Sequence, residues 1–305
     1  MNEEYRRRVE LLLDITPRVF GEPDFAMKGG TAINLFIRDV PRLSVDIDLV
    51  FVPKEVPREE ALARIKAALT RIGTELMRAP GVDVSLSQRG GNEVKLLVSR
   101  AGYQVKVEVN TVFRGTVFPV LDSTPTQVAT DLFKREVRIK ILDPDELYGS
   151  KLVAAMDRQH PRDLFDVMTL VGQGGITPRM RRAFVIYLAG HNRPIGELLT
   201  PNRYPLDDLY ASDFVGMTTA AVSIDKLLRA REQLFLELPA SLDASERQFL
   251  LSLKKGEPQW GLLGIPGIEG LPALQWKLAN VRRLKDSNPN KHAKMLAVLR
   301  EKLGD

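Results

Sequence analysis

The sequence predicts an α+β domain with a mixed sheet, followed by a mostly helical domain. Strand-like runs and amphipathic helices alternate in the first part of the chain, after which the strand signal largely disappears and helical patterns with glycine-rich loops take over. The length of 305 residues is sufficient for two cores of ordinary size, since one domain usually takes about 100–200 residues. We therefore predict domains over residues 1–140 and 141–305.

The composition is that of a globular protein and excludes several classes of function. Apolar residues make up 44% of the chain and charged residues 27%, which excludes wholesale disorder. Without cysteine, and with only 3 scattered histidines, the chain cannot form disulfides or zinc–sulfur sites, so any bound metal must be held by oxygen. The N-terminus is unlike a signal peptide and no apolar run is long enough to span a membrane, so we expect a cytoplasmic protein. The excess of 44 Lys and Arg over 39 Asp and Glu permits a polyanionic partner without identifying one.

The first domain opens with a helix and a strand–turn–helix unit. Apolar residues recur at helical spacing over residues 1–20. The run FAMKGG predicts a short strand that ends in a double-glycine turn, and TAINLFIRD predicts the helix after it, with Thr31 at its start. The run LSVDIDLVFVP predicts the next strand, whose far end is apolar on both faces.

The rest of the first domain is predicted as one helix and a set of strands. Residues 57–75 form the clearest amphipathic helix, with Pro57 in its first turn. Strand-like runs follow, with hairpin-type residues at two of their joins. The runs cover residues 82–88, 93–100, 103–113 and 136–142, and the joins are RGGN and AGY.

The second domain begins with a strong helix start. In DPDELYGSKLVAAMDRQ, Asp143 is the predicted N-cap, Pro144 opens the first turn and Glu146 is at its third position. Further helical patterns extend from there to the C-terminus. Trp260 and Trp276 are interpreted as packing residues of this domain.

The sharpest chemical signal is a pair of aspartates separated by one residue on a predicted strand. Asp46 and Asp48 of RLSVDIDLV point to the same side of that strand. Two close carboxylates repel each other and retain a proton unless a hard cation lies between them, which favours magnesium. Glu108, in the alternating run VKVEVN of a later strand, is the third candidate metal ligand, and its alternative is a solvent-facing glutamate.

The glycine turn before that strand suits a phosphate. Gly29 and Gly30 let the backbone approach a ligand without a Cβ, and the amides at the start of a helix at Thr31 favour an anion. Lys28 and Ser44 can add donors, although Lys28 also fits a surface position. Oxygen ligands on two strands beside a glycine turn are the arrangement that metal-assisted phosphoryl or nucleotidyl transfer requires.

Two segments resemble a known family. KGGTAINLF followed by RLSVDIDLVF resembles the nucleotidyltransferase superfamily, whose pattern is a glycine pair, a helix and a D-x-D strand, with a third acid on a later strand. More narrowly, the chain is similar to the AbiEii/AbiGii toxin branch, known from abortive infection, phage defence and toxin–antitoxin systems. The branch's K-x-x-A and R-D-x-x-D patterns match KLVA from Lys151 and RDLFD from Arg162. Because this chain has Gly-Gly-Thr where many members have Gly-Ser, the phosphate contact is expected from Thr31 or from the backbone.

The resemblance implies a magnesium-dependent nucleotidyltransferase toxin with a nucleoside triphosphate (NTP) as substrate. It further implies an RNA acceptor, the 3′ end of a tRNA, whose modification blocks translation, and a cognate antitoxin as protein partner. The resemblance also implies that Lys151 and Asp166 are active-site residues, because they match residues of the active site in the family. In the active site, Lys151 would offset negative charge on the departing pyrophosphate. Arg158 is a further candidate for nucleotide binding.

Several alternatives remain open at this point. Lys151, Asp163 and Asp166 also fit a salt-bridged helix pair without a catalytic role. A second functional hypothesis keeps the chemistry but has a protein hydroxyl or a small molecule as acceptor. A third is a non-catalytic protein that holds nucleotide or RNA. The basic clusters at residues 179–182 and 282–285 fit either an RNA contact or a solvated helix face.

Overall fold

The structure is a computed structural model that describes residues 2–89 and 93–304. It contains a seven-stranded mixed sheet followed by a mostly helical region, which confirms the predicted fold class. The hairpin turn predicted at RGGN falls on residues 90–92, which lie outside the described residues. Of the helices that the structure describes, none combines the length and the apolar character that a bilayer crossing requires.

The chain divides into two compact units. The first, which we call the sheet unit, extends to Leu147 and also includes Phe214–Ala221. The second, the helical unit, comprises Tyr148–Asp213 and the chain from Val222 onward. The late segment joins the sheet unit through backbone bonds, among them one from Leu43 N–H to the Met217 carbonyl oxygen (2.8 Å). The sequence patterns do not indicate this return of the chain.

The sheet unit carries all seven strands. These are β1 (Phe25–Lys28), β2 (Asp46–Phe51), β3 (Val82–Arg89), β4 (Glu93–Arg100), β5 (Tyr103–Asn110), β6 (Leu121–Ser123) and β7 (Ile139–Ile141). Their order across the sheet is β3-β4-β5-β2-β1-β7-β6. The pairs β2–β5 and β1–β7 are parallel and the other pairs are antiparallel. The parallel pairing of β2 with β5 therefore places residues 46–50 beside residues 106–110.

Four described helices lie wholly in the sheet unit, and the first and third of them cover the apolar face of the sheet. The helices are α1 (Glu3–Val19), α2 (Gly29–Thr31), which continues as a π-helix (Ala32–Ile37), α3 (Arg58–Leu76) and α4 (Gln127–Phe133). Because side chains alternate along β5, Val105, Val107 and Val109 are buried on one face. Helix α1 packs against β5, and α3 packs against β3 and β4. The opposite face of β2 and β5 is left to the polar residues of the candidate site.

The helical unit is built from nine described helices. They are α5 (Pro144–Arg158), which begins in the sheet unit, α6 (Pro161–Gly172), α7 (Pro178–Ala189), α8 (Ile195–Leu199), α9 (Asp207–Asp213), α10 (Ile224–Ala240), α11 (Ala244–Lys255), α12 (Pro272–Ser287) and α13 (Pro289–Leu303). Short 3₁₀ turns at Trp260–Leu263 and Ile268–Gly270 connect α11 to α12. Trp260 packs against Phe249 with ring centroids 6.1 Å apart, as predicted, whereas the Trp276 residue is 47% exposed and the prediction that it is a packing residue is wrong.

Sequence patterns predict most of the helices and strands, and the elements that they do not predict are short. Helix α5 begins at Pro144 as predicted, with an Asp143 carboxylate oxygen accepting a bond from the Asp145 N–H (2.9 Å). Glu146 accepts bonds from two backbone N–H groups of a distant loop, at Val117 and Phe118 (2.9 Å each). Strand β6 and helix α4 are not predicted, because three and seven residues are too short for a clear period.

The basic clusters of the helical unit are largely engaged in contacts within it. Arg181 Nε lies 2.6 Å from a Glu246 carboxylate oxygen. Arg282 donates to the Gly256 carbonyl oxygen (3.0 Å), and Lys285 pairs with Glu257 (3.0 Å). The contact of the mostly buried Arg181 favours a packing role for that residue, whereas Arg282 and Lys285 are exposed and their contacts do not decide between the two roles.

Candidate active site

The two aspartates of the D-x-D motif lie half-buried on β2, on the face away from α1 and α3. Strand β2 lies between β1 and β5, so in the strand register Asp48 is opposite Lys28 on one side and opposite Glu108 on the other. Asp46 is paired with Lys106 of β5. The parallel pairing of β2 and β5 thus brings three acids and two lysines onto one polar face.

Burial and like charge both act on the aspartate pair. Burial raises the pKa of Asp48, and the negative charge of Asp46 raises that pKa further. Lys28 and Lys106 lower the pKa of Asp48 without cancelling these effects. A divalent cation bound by both carboxylates would offset their mutual repulsion, so the donor set fits a hard metal ion.

Glu108 has a different environment from the two aspartates. Its Oε2 lies 2.9 Å from Lys106 Nζ and 3.6 Å from Lys95 Nζ. Burial raises the pKa of Glu108, but the hydrogen bonds and charges of the two lysines outweigh burial and hold that pKa below its usual range. Within residues 2–89 and 93–304, no three His, Cys, Asp or Glu side chains form a group that could hold a metal ion. Metal coordination by Glu108 therefore stays a prediction.

Lys106 is a site residue that the sequence analysis does not identify. The signal for it is present, because Lys106 and Glu108 alternate with buried valines and so share a face of β5. What the sequence lacks is the register that pairs β5 with β2. Lys95, two strands from β2, is likewise brought to Glu108 only by cross-strand pairing.

The glycine turn lies directly against the Asp48 carboxylate. Gly29 has φ +76°, a conformation that favours glycine, and a Cβ at this position would lie 2.2 Å from Asp48 Oδ2. A Cβ on Gly30 would lie 2.6 Å from Arg42 Nη2 and 3.0 Å from Ser44 Oγ. The helix begins at Gly29 rather than at Thr31, so its first backbone amides adjoin the aspartates. The first amides of a helix have no partner within the helix and favour anions.

The hydroxyl groups of Thr31 and Ser44 hold this turn onto the strand. Thr31 is fully buried and its hydroxyl donates to the Asp46 carbonyl oxygen (2.5 Å). The Ser44 hydroxyl oxygen is 3.0 Å from that of Thr31 and Ser44 is also buried. The geometry gives both residues a positioning role, while phosphate binding by either of them stays a prediction. Asn34 supports the turn from the other side by donating to the Gly30 carbonyl oxygen (2.9 Å).

The helical unit holds the other predicted site residues in one ion cluster between α5 and α6. Lys151 Nζ lies 2.7 Å from Asp163 Oδ1 and 3.1 Å from Asp166 Oδ2, and all three residues are buried. Arg158 Nε lies 2.6 Å from Asp163 Oδ2, while 63% of the Arg158 side chain is exposed. The i, i+3 spacing of the R-D-x-x-D motif places both aspartates on the α6 face toward Lys151.

Asp163 is the centre of this cluster. Burial raises its pKa, but the charges of Lys151 and Arg158, together with their hydrogen bonds, outweigh burial and hold the pKa of Asp163 far below its ordinary value. The cluster joins two cations and two carboxylates, so its charges balance. Lys151 donates a hydrogen bond to Asp163, and its ammonium also lies within ion-pair distance of Asp166.

Comparison with known proteins agrees with these motifs. The sequence matches the family model described as "Nucleotidyl transferase AbiEii toxin, Type IV TA system" over residues 10–280. Among solved structures, MenT4, a nucleotidyltransferase toxin from Mycobacterium tuberculosis H37Rv, is similar, with a TM-score of 0.57 and 17% sequence identity. The similarity covers 89% of this chain and 93% of that chain. At this identity it shows a shared fold. No curated protein matches the sequence.

Proposed function

The chain belongs to the AbiEii nucleotidyl transferase toxin family, as its motifs predict, and on that premise we propose that it transfers a nucleotide from an NTP to the 3′ end of a tRNA in a magnesium-dependent reaction. A tRNA modified there cannot accept an amino acid, so translation stops. The family belongs to toxin–antitoxin systems, which implies a cognate antitoxin as partner. The observation that carries the proposal is the Asp46–Asp48 pair beside the backbone of Gly29.

Asp46 and Asp48 fit magnesium as ligands. Mg²⁺ at phosphoryl-transfer sites is commonly held by one or two carboxylates together with substrate phosphate oxygens and waters. Two aspartates are therefore sufficient as protein ligands of the ion. Glu108 would be a third ligand only if its ion pairs with Lys106 and Lys95 opened. A magnesium ion held there would supply charge stabilisation on the phosphates and would lower the pKa of the attacking hydroxyl.

The other residues of the sheet unit bind and place the triphosphate. The backbone amides at Gly29 and Gly30 and the Lys28 ammonium bind phosphate oxygens next to the aspartates. The acceptor hydroxyl oxygen then attacks the α-phosphorus, a new P–O bond forms, and the bond from the α-phosphorus to pyrophosphate breaks. Pyrophosphate leaves and the hydroxyl proton passes to solvent. For Lys151 and Asp166 the proposal keeps the role that the resemblance implies, with Lys151 stabilising charge on the leaving group.

The test is an assay with each NTP labelled at the α-phosphate or at the γ-phosphate, purified tRNA, total RNA and total protein. The proposal expects the α-label in tRNA, no transfer of the γ-label, and loss of transfer on magnesium chelation. Label that migrates with protein or with small molecules would show a different acceptor. A γ-label on the acceptor would show phosphoryl transfer, and absence of label from every acceptor would contradict the enzymatic proposal.

The Gly29→Ala variant is expected to lose nucleotide transfer by about 100-fold, because a Cβ at this position displaces the Asp48 carboxylate. Gly81→Ala is the matched control, since Gly81 also has a positive φ (+69°) but a Cβ there meets no atom within 4 Å. Both variants are expected to lose about 1 kcal/mol of stability from backbone strain. Initial rates of label incorporation and urea unfolding measure the two effects. Equal activity of the two variants would show that the contact between Gly29 and Asp48 has no role.

A further inference from the structure

A cavity of about 170 Å³ lies within the helical unit, away from its ion cluster between α5 and α6. Residues of α8, α11, α12 and α13 line it. Most of the wall is aliphatic or thioether, and includes Ile195, Leu253, Val281, Leu284 and Met295. Such a wall favours an apolar ligand body.

Lys254 lines this apolar cavity without an acidic partner. The residue is 9% exposed, and its ammonium has one polar contact among the described residues, to the Met295 sulfur at 3.9 Å. Burial lowers the pKa of Lys254. A buried charge without a partner is unfavourable, and a methionine of similar volume would fill the same space at lower free energy. The lysine is therefore not explained by packing.

A second ammonium lies on the same cavity. Lys277 Nζ donates to the carbonyl oxygens of His191 (2.7 Å) and Arg193 (2.8 Å), which leaves it one N–H. Burial and the charge of Lys254 lower the pKa of Lys277 to about 8, against the opposing charge of Glu197. The two lysines thus supply the cavity with positive charge that the lining residues do not neutralise.

We propose that this cavity binds a small organic carboxylate with an apolar body, its two oxygens meeting Lys254 and Lys277 and its body lying against the apolar wall and Trp276. The charged donors on the lining are the two ammonium groups, which match a two-oxygen monoanion, and Asn192 and Asn280 add uncharged amide groups. The cavity lining contains no arginine, and the lining residues of α12 lie in a helix interior where backbone N–H groups are already bonded. The volume is also below the about 300–1,000 Å³ of sites that enclose larger ligands, which excludes enclosure of a nucleotide.

The probes are benzoate and 3-methylbutanoate, with benzamide as the uncharged counterpart of benzoate, added to the full chain at neutral pH. Calorimetry is expected to show single-site binding of the carboxylates, and thermal unfolding a higher melting temperature in their presence. Benzamide is expected to bind at least about tenfold more weakly, because hydrogen bonds to a charged group are the stronger ones. This proposal does not depend on the proposed enzymatic function.

Lys254→Met is the decisive variant. It is expected to raise the melting temperature of the free protein, since an unpaired buried charge is removed, and to weaken benzoate binding at least about tenfold. Lys255→Met, at the next position of α11 and not on the cavity, is the control and is expected to change neither quantity. Trp276→Ala, at an exposed position, is expected to weaken benzoate binding without loss of fold.

Three results would overturn the proposal. The first is equal binding of benzoate and benzamide, or binding of neither. The second is unchanged benzoate affinity in a folded Lys254→Met protein. The third is a preference for inorganic phosphate or adenosine monophosphate over the carboxylates, with dependence on Lys254, which would make the cavity a phosphate site.

Discussion

Asp48→Asn is expected to reduce nucleotide transfer by at least about 1,000-fold at saturating NTP and magnesium, since a metal ion and its ligands supply several kcal/mol to such a reaction. The amide has the volume of the carboxylate but carries no charge, so it leaves Asp46 as the single anionic ligand on β2. Incorporation of α-labelled nucleotide into tRNA measures the effect.

The same variant is expected to be at least as stable as the wild type. The carboxylates of Asp46 and Asp48 repel each other, and removal of one charge relieves that repulsion. Loss of activity with retained stability separates a catalytic role from a structural one. Asp83→Asn, an exposed acid on β3 of the same sheet, is the control and is expected to change neither quantity. Full transfer activity in a folded Asp48→Asn protein would contradict the assignment of Asp48.

Asp163→Asn is expected to lower the free energy of unfolding by about 3–5 kcal/mol, the usual loss when one partner of a buried ion pair is removed. Both Lys151 and Arg158 direct donors at this carboxylate, and an amide cannot balance their charges. Urea unfolding at neutral pH measures the loss. Asp213→Asn is the matched control, because the Asp213 side chain is 42% exposed and its ion-pair partner is the histidine His160 rather than a buried lysine. We expect the control to lose less than about 1 kcal/mol.

The pH dependence of stability gives a second measure of Asp163. Its pKa is lowered in the folded state, so its contribution is fully present above the ordinary aspartate pKa of about 3.9 and is lost as pH falls below that value. The wild type should therefore lose stability in acid more steeply than Asp163→Asn. Parallel acid profiles of the two proteins, or a loss no larger than that of Asp213→Asn, would show that the cluster does not stabilise the fold.

Local periodicity made the core of the candidate site predictable. The period of two residues in a strand is sufficient to place Asp46 and Asp48 on one face, and a double glycine before a helical pattern is sufficient to identify the turn. The start of the helix at Gly29 was harder to locate, because a glycine with positive φ at a helix start leaves no local signal.

The partners of these residues depend on contacts that no local pattern encodes. Glu108 meets Lys106 and Lys95 because of the registers of β5 with its two neighbours. Lys254 and Lys277 line one cavity because α11 and α12 pack together, although each lysine separately looks like an ordinary helix-surface residue. Cross-strand register and helix packing are long-range properties, so the sequence predicts the acids of the site better than the charges around them.

The proposed chemistry requires that Asp46 and Asp48 together hold a divalent ion with the nucleotide. Electron paramagnetic resonance of Mn²⁺, titrated into the protein with a non-hydrolysable NTP, tests it directly. We expect a tight Mn²⁺ site in the wild type that is absent from the folded double variant Asp46→Asn, Asp48→Asn. A double variant that binds Mn²⁺ as tightly as the wild type would contradict it.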